Sequence, residues 1–184
     1  MFEVGYRAQP TAALSYSLSV FHHDFDRLKT TEPRVGGAVS ENRMTGKLDG
    51  INGWGSYRMS LRWRMTAGFN WMRERRQLEP GSASIGGTAA AGNDPSSWFS
   101  LGAALDLAPG VEVDVRARRV QALPTGPVPA YTAVDARVGW RPSPNVELSL
   151  SVQNALDTGH PEWGGPANRA EIERGFFFKV LWRM

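Results

Sequence analysis

Residues 63–71 read Trp-Arg-Met-Thr-Ala-Gly-Phe-Asn-Trp, so every second side chain is apolar and those between are polar or small. Successive side chains of a β-strand point to opposite faces of the sheet, and this period therefore predicts a strand with one apolar face and one polar face. The two tryptophans lie at the ends of the apolar stripe, where membrane-spanning strands place aromatic rings.

The same alternation recurs along the whole chain. It predicts eight further strands, at about residues 2–8, 14–20, 45–57, 99–107, 111–118, 131–140, 146–153 and 176–184. No second domain, linker or helix is needed to account for the remaining residues. The predicted fold class is therefore all-β, an antiparallel up-and-down meander of about nine strands.

The predicted connections alternate between short turns and long polar loops. Short turns are expected at residues 9–11, 58–59, 108–110 and 141–145, and long loops at residues 26–43, 73–97, 121–130 and 157–170. A meander with all tight turns at one end and all long loops at the other is typical of outer-membrane barrels. Each strand is also near the roughly 9 to 11 residues that a tilted strand needs to cross a bilayer.

Composition excludes several classes of protein. The chain has 184 residues, of which 41% are hydrophobic and 21% charged, as in one ordinary folded domain. It has no cysteine, which excludes disulfides and thiolate chemistry. Its net charge of +3 comes from scattered cations, so nucleic acid is not an expected partner. No apolar run approaches the roughly 18 to 20 residues of a membrane-spanning helix.

Two charged clusters are possible sites with simpler explanations. His22-His23-Asp24 with Asp26 contains good metal ligands, but on a strand His22 and His23 point to opposite faces. We therefore interpret this segment as a polar strand end and predict no metal site. Arg73-Glu74-Arg75-Arg76 is interpreted as the base of a solvated loop, with contact to lipopolysaccharide phosphates as a hypothesis.

The sequence contains no convincing catalytic arrangement. It has no Gly-x-Ser-x-Gly, His-Glu-x-x-His or phosphate-loop motif, and its three histidines have no spacing that suggests a proton relay. We predict that the protein is not an enzyme and that it has no cofactor.

Motifs in the second half of the chain resemble those of a known family. They are Gly92-Asn93-Asp94-Pro95 before a strand, Pro129-Ala130-Tyr131 with Asp135 four residues later, Val152-Gln153-Asn154-Ala155-Leu156-Asp157, and an aromatic-rich last strand. In combination they are similar to the C-terminal end of a TonB-dependent outer-membrane receptor, over residues 92–184. The first half matches less sharply, with Gly50-Ile51-Asn52-Gly53-Trp54 where many relatives have Gly-Val-Glu. The chain ends in Met184 where the family ends in Phe.

The resemblance implies a partial receptor. Such receptors have a 22-stranded transmembrane β-barrel, an internal plug domain and an N-terminal box that binds TonB, and they import ferric siderophores, cobalamin or similar nutrients across the Gram-negative outer membrane. Residues 1–184 would then be the last nine strands, without plug, TonB box or signal peptide. We expect a truncated gene, a gene-model fragment or a remnant. Its partners would be outer-membrane lipid and the missing N-terminal barrel and plug, with TonB and a small-molecule ligand engaged only in the intact receptor.

The polar face carries the candidate ligand-binding residues. Glu112, Asp114, Arg116 and Arg118 share one face of a strand, and Asp135 and Arg137 lie on the next strand. They could form ion pairs between neighbouring strands that line the lumen without any chemistry. Alternatively, the arginines could attract an anionic ligand or hold the plug by its carboxylates. Arg116, Arg118, Asp135 and Arg137 are therefore the candidate ligand-binding residues.

The closing strand resembles the signal that barrel-assembly machinery reads in this family. Its residues are Gly175, Phe176, Phe178, Val180, Trp182 and Met184. An unpaired apolar strand can add to another sheet edge through its backbone groups, which gives the resemblance a physical basis.

Two alternatives remain open at the level of sequence. In a soluble all-β ligand-binding module, the apolar stripes would form a buried core. In a small independent outer-membrane barrel of eight strands, the first segment would be unpaired.

Overall fold

The computed structural model describes residues 1–164 and 170–183. Its strands are β1 (Phe2–Thr11), β2 (Leu14–Arg34), β3 (Gly37–Arg58), β4 (Trp63–Leu78), β5 (Ser97–Ala108), β6 (Val111–Val120), β7 (Tyr131–Ser143), β8 (Val146–Gln153), β9 (Gly159–Pro161), β10 (Glu171–Glu173) and β11 (Gly175–Trp182). A short 3₁₀ helix covers Gly87–Ala91. Among these residues, no helix is long and apolar enough to cross a membrane.

Nine of the strands form one sheet. β1 to β8 follow one another in chain order and β11 pairs with β8, each strand antiparallel to its neighbour. β9 and β10 form a separate two-stranded ribbon beside it. The predicted nine-stranded antiparallel meander is confirmed.

The first predicted long loop is largely strand, and the second is strand over its first six residues. Residues 26–43 form most of a long hairpin in which β2 and β3 stay paired out to Arg34 and Gly37. The hairpin turns at Val35-Gly36, where Gly36 has a φ of +87° that favours glycine. Similarly, β4 continues to Leu78 inside the predicted loop at residues 73–97. The prediction was wrong there because both faces of these extensions are polar, so strand pairing leaves no period-two pattern.

The remaining connections lie close to their predicted positions. Residues 121–130 connect β6 and β7 without strand, and Pro109-Gly110 turns between β5 and β6. Gly110 is required there, because its φ is +75° and a Cβ would approach the Arg141 carbonyl oxygen to 2.8 Å. The turn predicted at residues 9–11 was wrong by about two residues, since β1 runs to Thr11 and the chain reverses at Ala12-Ala13.

The strand register aligns the apolar stripes on one side of the sheet, which we call the apolar face. One row of directly paired residues crosses eight strands: Leu14, Tyr57, Met65, Ala103, Val115, Ala136, Val152 and Phe176. The side chains between the stripes form the opposite side, the polar face. A shift of one residue in any strand would reverse that strand's two faces, so the pattern specifies each register.

The apolar band is staggered across the sheet. Leu14 is the first residue of β2 and lies at its short-turn end. The row that begins there reaches β11 at Phe176, six residues before Trp182 at the short-turn end of that strand. Six residues over the seven steps from β2 to β11 correspond to a strand tilt of about 30°, close to that of barrel strands. The apolar band is therefore parallel to a membrane plane only if the strands are tilted from the membrane normal.

The apolar face is not a protein core. Among the described residues, only Met44, Val128 and Ala133 are fully buried hydrophobic side chains, whereas Phe176 and Trp182 are each 70% exposed. Exposed apolar patches of more than a few hundred Å² mark a surface that binds a partner or a membrane. This exposure disfavours the soluble module, which needs the stripes to pack against each other.

The register can be tested by crosslinking, because the chain has no native cysteine. Ala117 pairs directly with Val134, so the double variant Ala117→Cys/Val134→Cys should form a disulfide under mild oxidation. Ala117→Cys/Ala136→Cys, displaced by two residues, should not. Mass spectrometry of tryptic peptides distinguishes the products, and equal crosslinking of both pairs would contradict the register.

Candidate functional site

A charged network crosses the polar face of β6, β7 and β8. Arg137 on β7 lies at its centre. Its Nη1 donates to Asp114 Oδ2 on β6 at 2.9 Å, and its Nη2 donates to Glu147 Oε1 on β8 at 2.8 Å. Glu112 Oε2 is 3.5 Å from the same guanidinium. Arg141 also pairs with Glu112, and its Nε lies 3.6 Å from Glu147 Oε2.

This network fits the structural interpretation of the charged face. The two arginines lie between three carboxylates that belong to neighbouring strands, so their charges are neutralised within the wall. Arg137, a candidate ligand-binding residue, thus already donates hydrogen bonds to protein partners.

Arg116 differs from Arg137. It lies directly opposite Asp135 in the register, yet the two form no ion pair. Asp135 Oδ1 instead accepts the backbone N–H of Asn154 at 2.9 Å. Within the part of the chain that the structure describes, the Arg116 side chain has no hydrogen bond or ion pair, and it lines a concavity of about 490 Å³ with Asp114, Asp135 and Gln153.

Arg118 belongs to a second cluster, near the long-loop end of β6 and β7. Glu162 Oε1 accepts from Arg118 Nη2 at 2.8 Å and from the Tyr131 hydroxyl at 2.9 Å. The His160 ring stacks on the Tyr131 ring with centroids 4.0 Å apart, and only 4% of His160 is exposed.

Sequence reasoning missed most of this second cluster. His160 and Glu162 lie in the segment predicted as a loop, about thirty residues from Tyr131, and no periodicity links them. The available signal was the Pro-x-Tyr motif that contains Tyr131. Asn154, from the other motif, is buried in a left-handed conformation, and its side-chain amide donates to the Ile172 carbonyl at 3.0 Å. It anchors the segment that leads to His160.

A buried carboxylate ties the long β2–β3 hairpin to the loop after β4. Glu32 is 2% exposed and accepts hydrogen bonds from the Ser82 hydroxyl at 2.6 Å and the Ala83 N–H at 2.8 Å. Next to it, Ile85 N–H donates to the Thr31 carbonyl at 2.9 Å. These hydrogen bonds, that from Ser82 first, lower the pKa of Glu32. The two connections are therefore held as one unit.

The histidine segment of β2 has the geometry expected of a strand. His22 contacts Asp24 on its own face, with Nε2 2.9 Å from Oδ2, and contacts Asp49 of β3 at 2.6 Å. His23 faces the other way and lies against the rings of Phe21 and Phe25. In the described ranges, no group of three or more His, Cys, Asp or Glu side chains is placed to hold a metal ion.

The Arg73–Arg76 segment is not a loop base. It lies inside β4, and its side chains alternate between the two faces. Arg76 on the polar face pairs with Glu74 and donates to the Gly92 carbonyl at 2.7 Å. Arg73 and Arg75 project from the apolar face, since they lie two and four residues after Trp71 on the same strand.

β11 forms one edge of the sheet. It pairs with β8 on one side only, and the apolar side chains of the predicted assembly signal are 56% to 70% exposed: Phe176, Phe178, Val180 and Trp182. Gly175 begins the strand. Met184, the last residue of that signal, lies outside the described residues.

Comparison with known protein families gives one match. Residues 2–155 match the family described as "TonB dependent receptor-like, beta-barrel". No curated protein matches the sequence of this chain.

Solved structures share the fold. The FrpB iron transporter of Neisseria meningitidis superposes with a TM-score of 0.78 at 17% identity, and the siderophore receptor PiuA of Acinetobacter baumannii with 0.78 at 19%. The ferric-catecholate import receptor Fiu of E. coli K12 gives 0.72 at 18%. Each match covers 98% of this chain but only 30%, 28% and 27% of those proteins, respectively. The chain thus spans less than a third of their length.

We predict that Glu32→Ala releases the long hairpin from its neighbouring loop. The substitution leaves the Ser82 hydroxyl and Ala83 N–H without their acceptor, so tryptic cleavage at hairpin sites such as Lys29 should accelerate roughly tenfold. Glu41→Ala, which removes only an exposed ion pair with Arg34, is the matched control and should leave the rate unchanged.

The same contact should respond to pH. Because the folded-state pKa of Glu32 lies below its ordinary value of 4.5, its contribution is complete above that value and is lost as the pH falls through the lowered pKa. Hydrogen exchange at the Ala83 amide, corrected for intrinsic rates, should therefore lose protection as the pH falls through this lowered pKa. Unchanged protection at acid pH would contradict the assignment.

Proposed function

This chain belongs to the TonB-dependent receptor β-barrel family, as its motifs predicted, and we propose that it forms the last nine strands of a 22-stranded nutrient receptor. The receptor would lie in the outer membrane of a Gram-negative cell and import siderophore-bound iron, cobalamin or a similar scarce nutrient. The observation that carries the proposal is the exposed apolar band, continuous in register across the sheet and staggered as inclined strands require.

The orientation of the sheet follows from its connections. Barrels of this kind place short turns in the periplasm and long loops outside the cell. The Glu32 contact then lies on the extracellular side, where it would hold the long hairpin in position to meet a ligand.

The polar face would line the lumen. Of the four candidate residues, Arg116 is the one available for an anionic ligand or for a carboxylate of the plug, because its guanidinium has no ion pair or hydrogen bond among the described residues. Arg118, Asp135 and Arg137 are already engaged by protein groups, so we assign them to shaping the wall around Arg116.

The chain would not transport by itself. β1 and β11 run in the same direction, so they cannot pair antiparallel to close the sheet. A second copy inserted with the same topology has the same strand directions and meets the same conflict. Closure requires a partner that supplies an odd number of strands, as thirteen further strands would, and TonB would act only through that part.

We assign β11 to recognition by the barrel-assembly machinery. Its free backbone edge and its exposed aromatic side chains are what strand addition needs. Strand addition and lipid contact use the same residues at different stages, so the two roles are compatible.

The first experiment is refolding of the purified chain with and without neutral detergent micelles. Circular dichroism should report a β-rich state only with micelles, because only there is the apolar face covered. A soluble, β-rich monomer in buffer alone, detected by sedimentation, would overturn the proposal.

Paired variants assign the two faces. Leu101→Arg places a charge at the middle of the apolar face and should cost about 2–4 kcal/mol of folding free energy in micelles. Ser100→Arg places the same charge on the polar face and should cost clearly less. Equal losses in urea titrations of both variants would argue against a lipid-facing band.

The assembly role predicts a face-specific effect within one strand. Phe178→Asp with Trp182→Asp should reduce retention of the unfolded chain by purified barrel-assembly machinery roughly tenfold, because both residues belong to the apolar stripe. Lys179→Asp, on the polar face of the same strand, should leave retention unchanged. Equal retention of all three chains would remove the assignment.

A further inference from the structure

A charged cluster lies on the apolar face directly beyond the band, at the long-loop end of β2, β3 and β4. The last apolar row consists of Val20, Ile51 and Trp71. The two rows beyond it are charged and directly paired: first His22, Asp49 and Arg73, then Asp24, Lys47 and Arg75. The cluster therefore begins only two residues, roughly 7 Å, past Trp71.

The two carboxylates organise this cluster. Asp49 lies between His22 and Arg75, with its Oδ1 2.6 Å from His22 Nδ1 and its Oδ2 2.5 Å from Arg75 Nη2. Asp24 lies 3.4 Å from the Lys47 ammonium. These contacts hold the cationic side chains over one small area of the face.

The cluster carries an excess of positive charge. Lys47, Arg73 and Arg75 oppose Asp24 and Asp49, which leaves one net positive charge with His22 neutral. The hydrogen bond that the His22 ring makes to Asp49, followed by the one to Asp24, raises the pKa of His22 and so favours a second net positive charge. In the part of the chain that the structure describes, the guanidinium of Arg73 has neither an ion pair nor a hydrogen bond.

The two faces of β4 differ at this level. On the polar face, Arg76 is only 12% exposed and is paired with Glu74. On the apolar face, Arg75 is 55% exposed and Lys47 is 61% exposed. The cations on the side that adjoins the apolar band are thus far more accessible than Arg76.

We propose that Arg73, Arg75 and Lys47 bind the phosphate groups of the phosphorylated glycolipid of the outer leaflet. The inference rests on the proposed function, which turns the apolar face toward lipid and the long loops outward. A lipid whose acyl chains cover Val20, Ile51 and Trp71 would bring its headgroup to these rows. Guanidinium groups hold phosphate oxygens through charge-assisted, bidentate hydrogen bonds, and the net positive charge complements the anion.

The test uses the full chain refolded in neutral detergent micelles. Native mass spectrometry would compare binding of diphosphoryl lipid A with binding of its dephosphorylated form. The expected result is that the wild-type chain binds the phosphorylated lipid at least about tenfold more tightly and that added salt weakens the binding. Equal binding of the two lipids would overturn the proposal.

A matched pair of variants locates the site. Arg73→Ala/Arg75→Ala should remove most of the preference for the phosphorylated lipid. Arg58→Ala/Arg64→Ala removes the same charge from the polar face at the opposite end and should retain it. Equal loss in both variants would show a general charge effect and overturn the site.

Two further outcomes separate the causes of failure. If millimolar inorganic phosphate displaces the lipid, the cluster is a general anion site and the headgroup assignment is wrong. If circular dichroism shows no β-rich state in micelles, the proposed function fails first and the lipid site fails with it. A β-rich chain with no phosphate preference would overturn the lipid site alone.

Discussion

Backbone hydrogen bonding is the constraint on which this structure depends. In hydrocarbon, an unpaired backbone N–H or C=O costs several kcal/mol, so a strand that crosses a bilayer needs a paired neighbour on each side. β2 to β8 meet this condition through one continuous antiparallel ladder, whereas β1 and β11 each have a single neighbour. The continuous ladder and the need for further strands both follow from this requirement.

The ladder also decides what each face can do. Because the register matches apolar rows from β2 to β11, the polar side chains must share the other face, and the Arg137 network is a consequence of that segregation. The charges of β6, β7 and β8 are largely neutralised within the wall, but among the described residues the guanidinium of Arg116 on the polar face and that of Arg73 beyond the band have no partner. These two arginines are proposed anion-binding positions because an unpartnered guanidinium still has its donors available.

The long-loop end is organised by different physics. Outside the band, water can satisfy the backbone, yet the β2–β3 hairpin stays paired and Glu32 fastens it to the loop after β4. A buried carboxylate with two donors holds a specific geometry because either donor would lose its partner on opening. The structure therefore combines a sheet specified by alternating apolar and polar residues with a long-loop end specified by a few polar contacts.

The sequence by itself determined the strands, the two faces and the family, because a period of two and turn residues such as Pro109-Gly110 are local signals that survive without tertiary context. It also placed Arg116 and Asp135 on neighbouring strands. Only the tertiary structure decided that Asp135 bonds Asn154 instead, that Glu162 joins Arg118, and that residues 26–43 are strand. Those outcomes depend on which polar groups from distant segments come within hydrogen-bonding distance in the folded chain. Alternation along one strand carries no information about such long-range contacts.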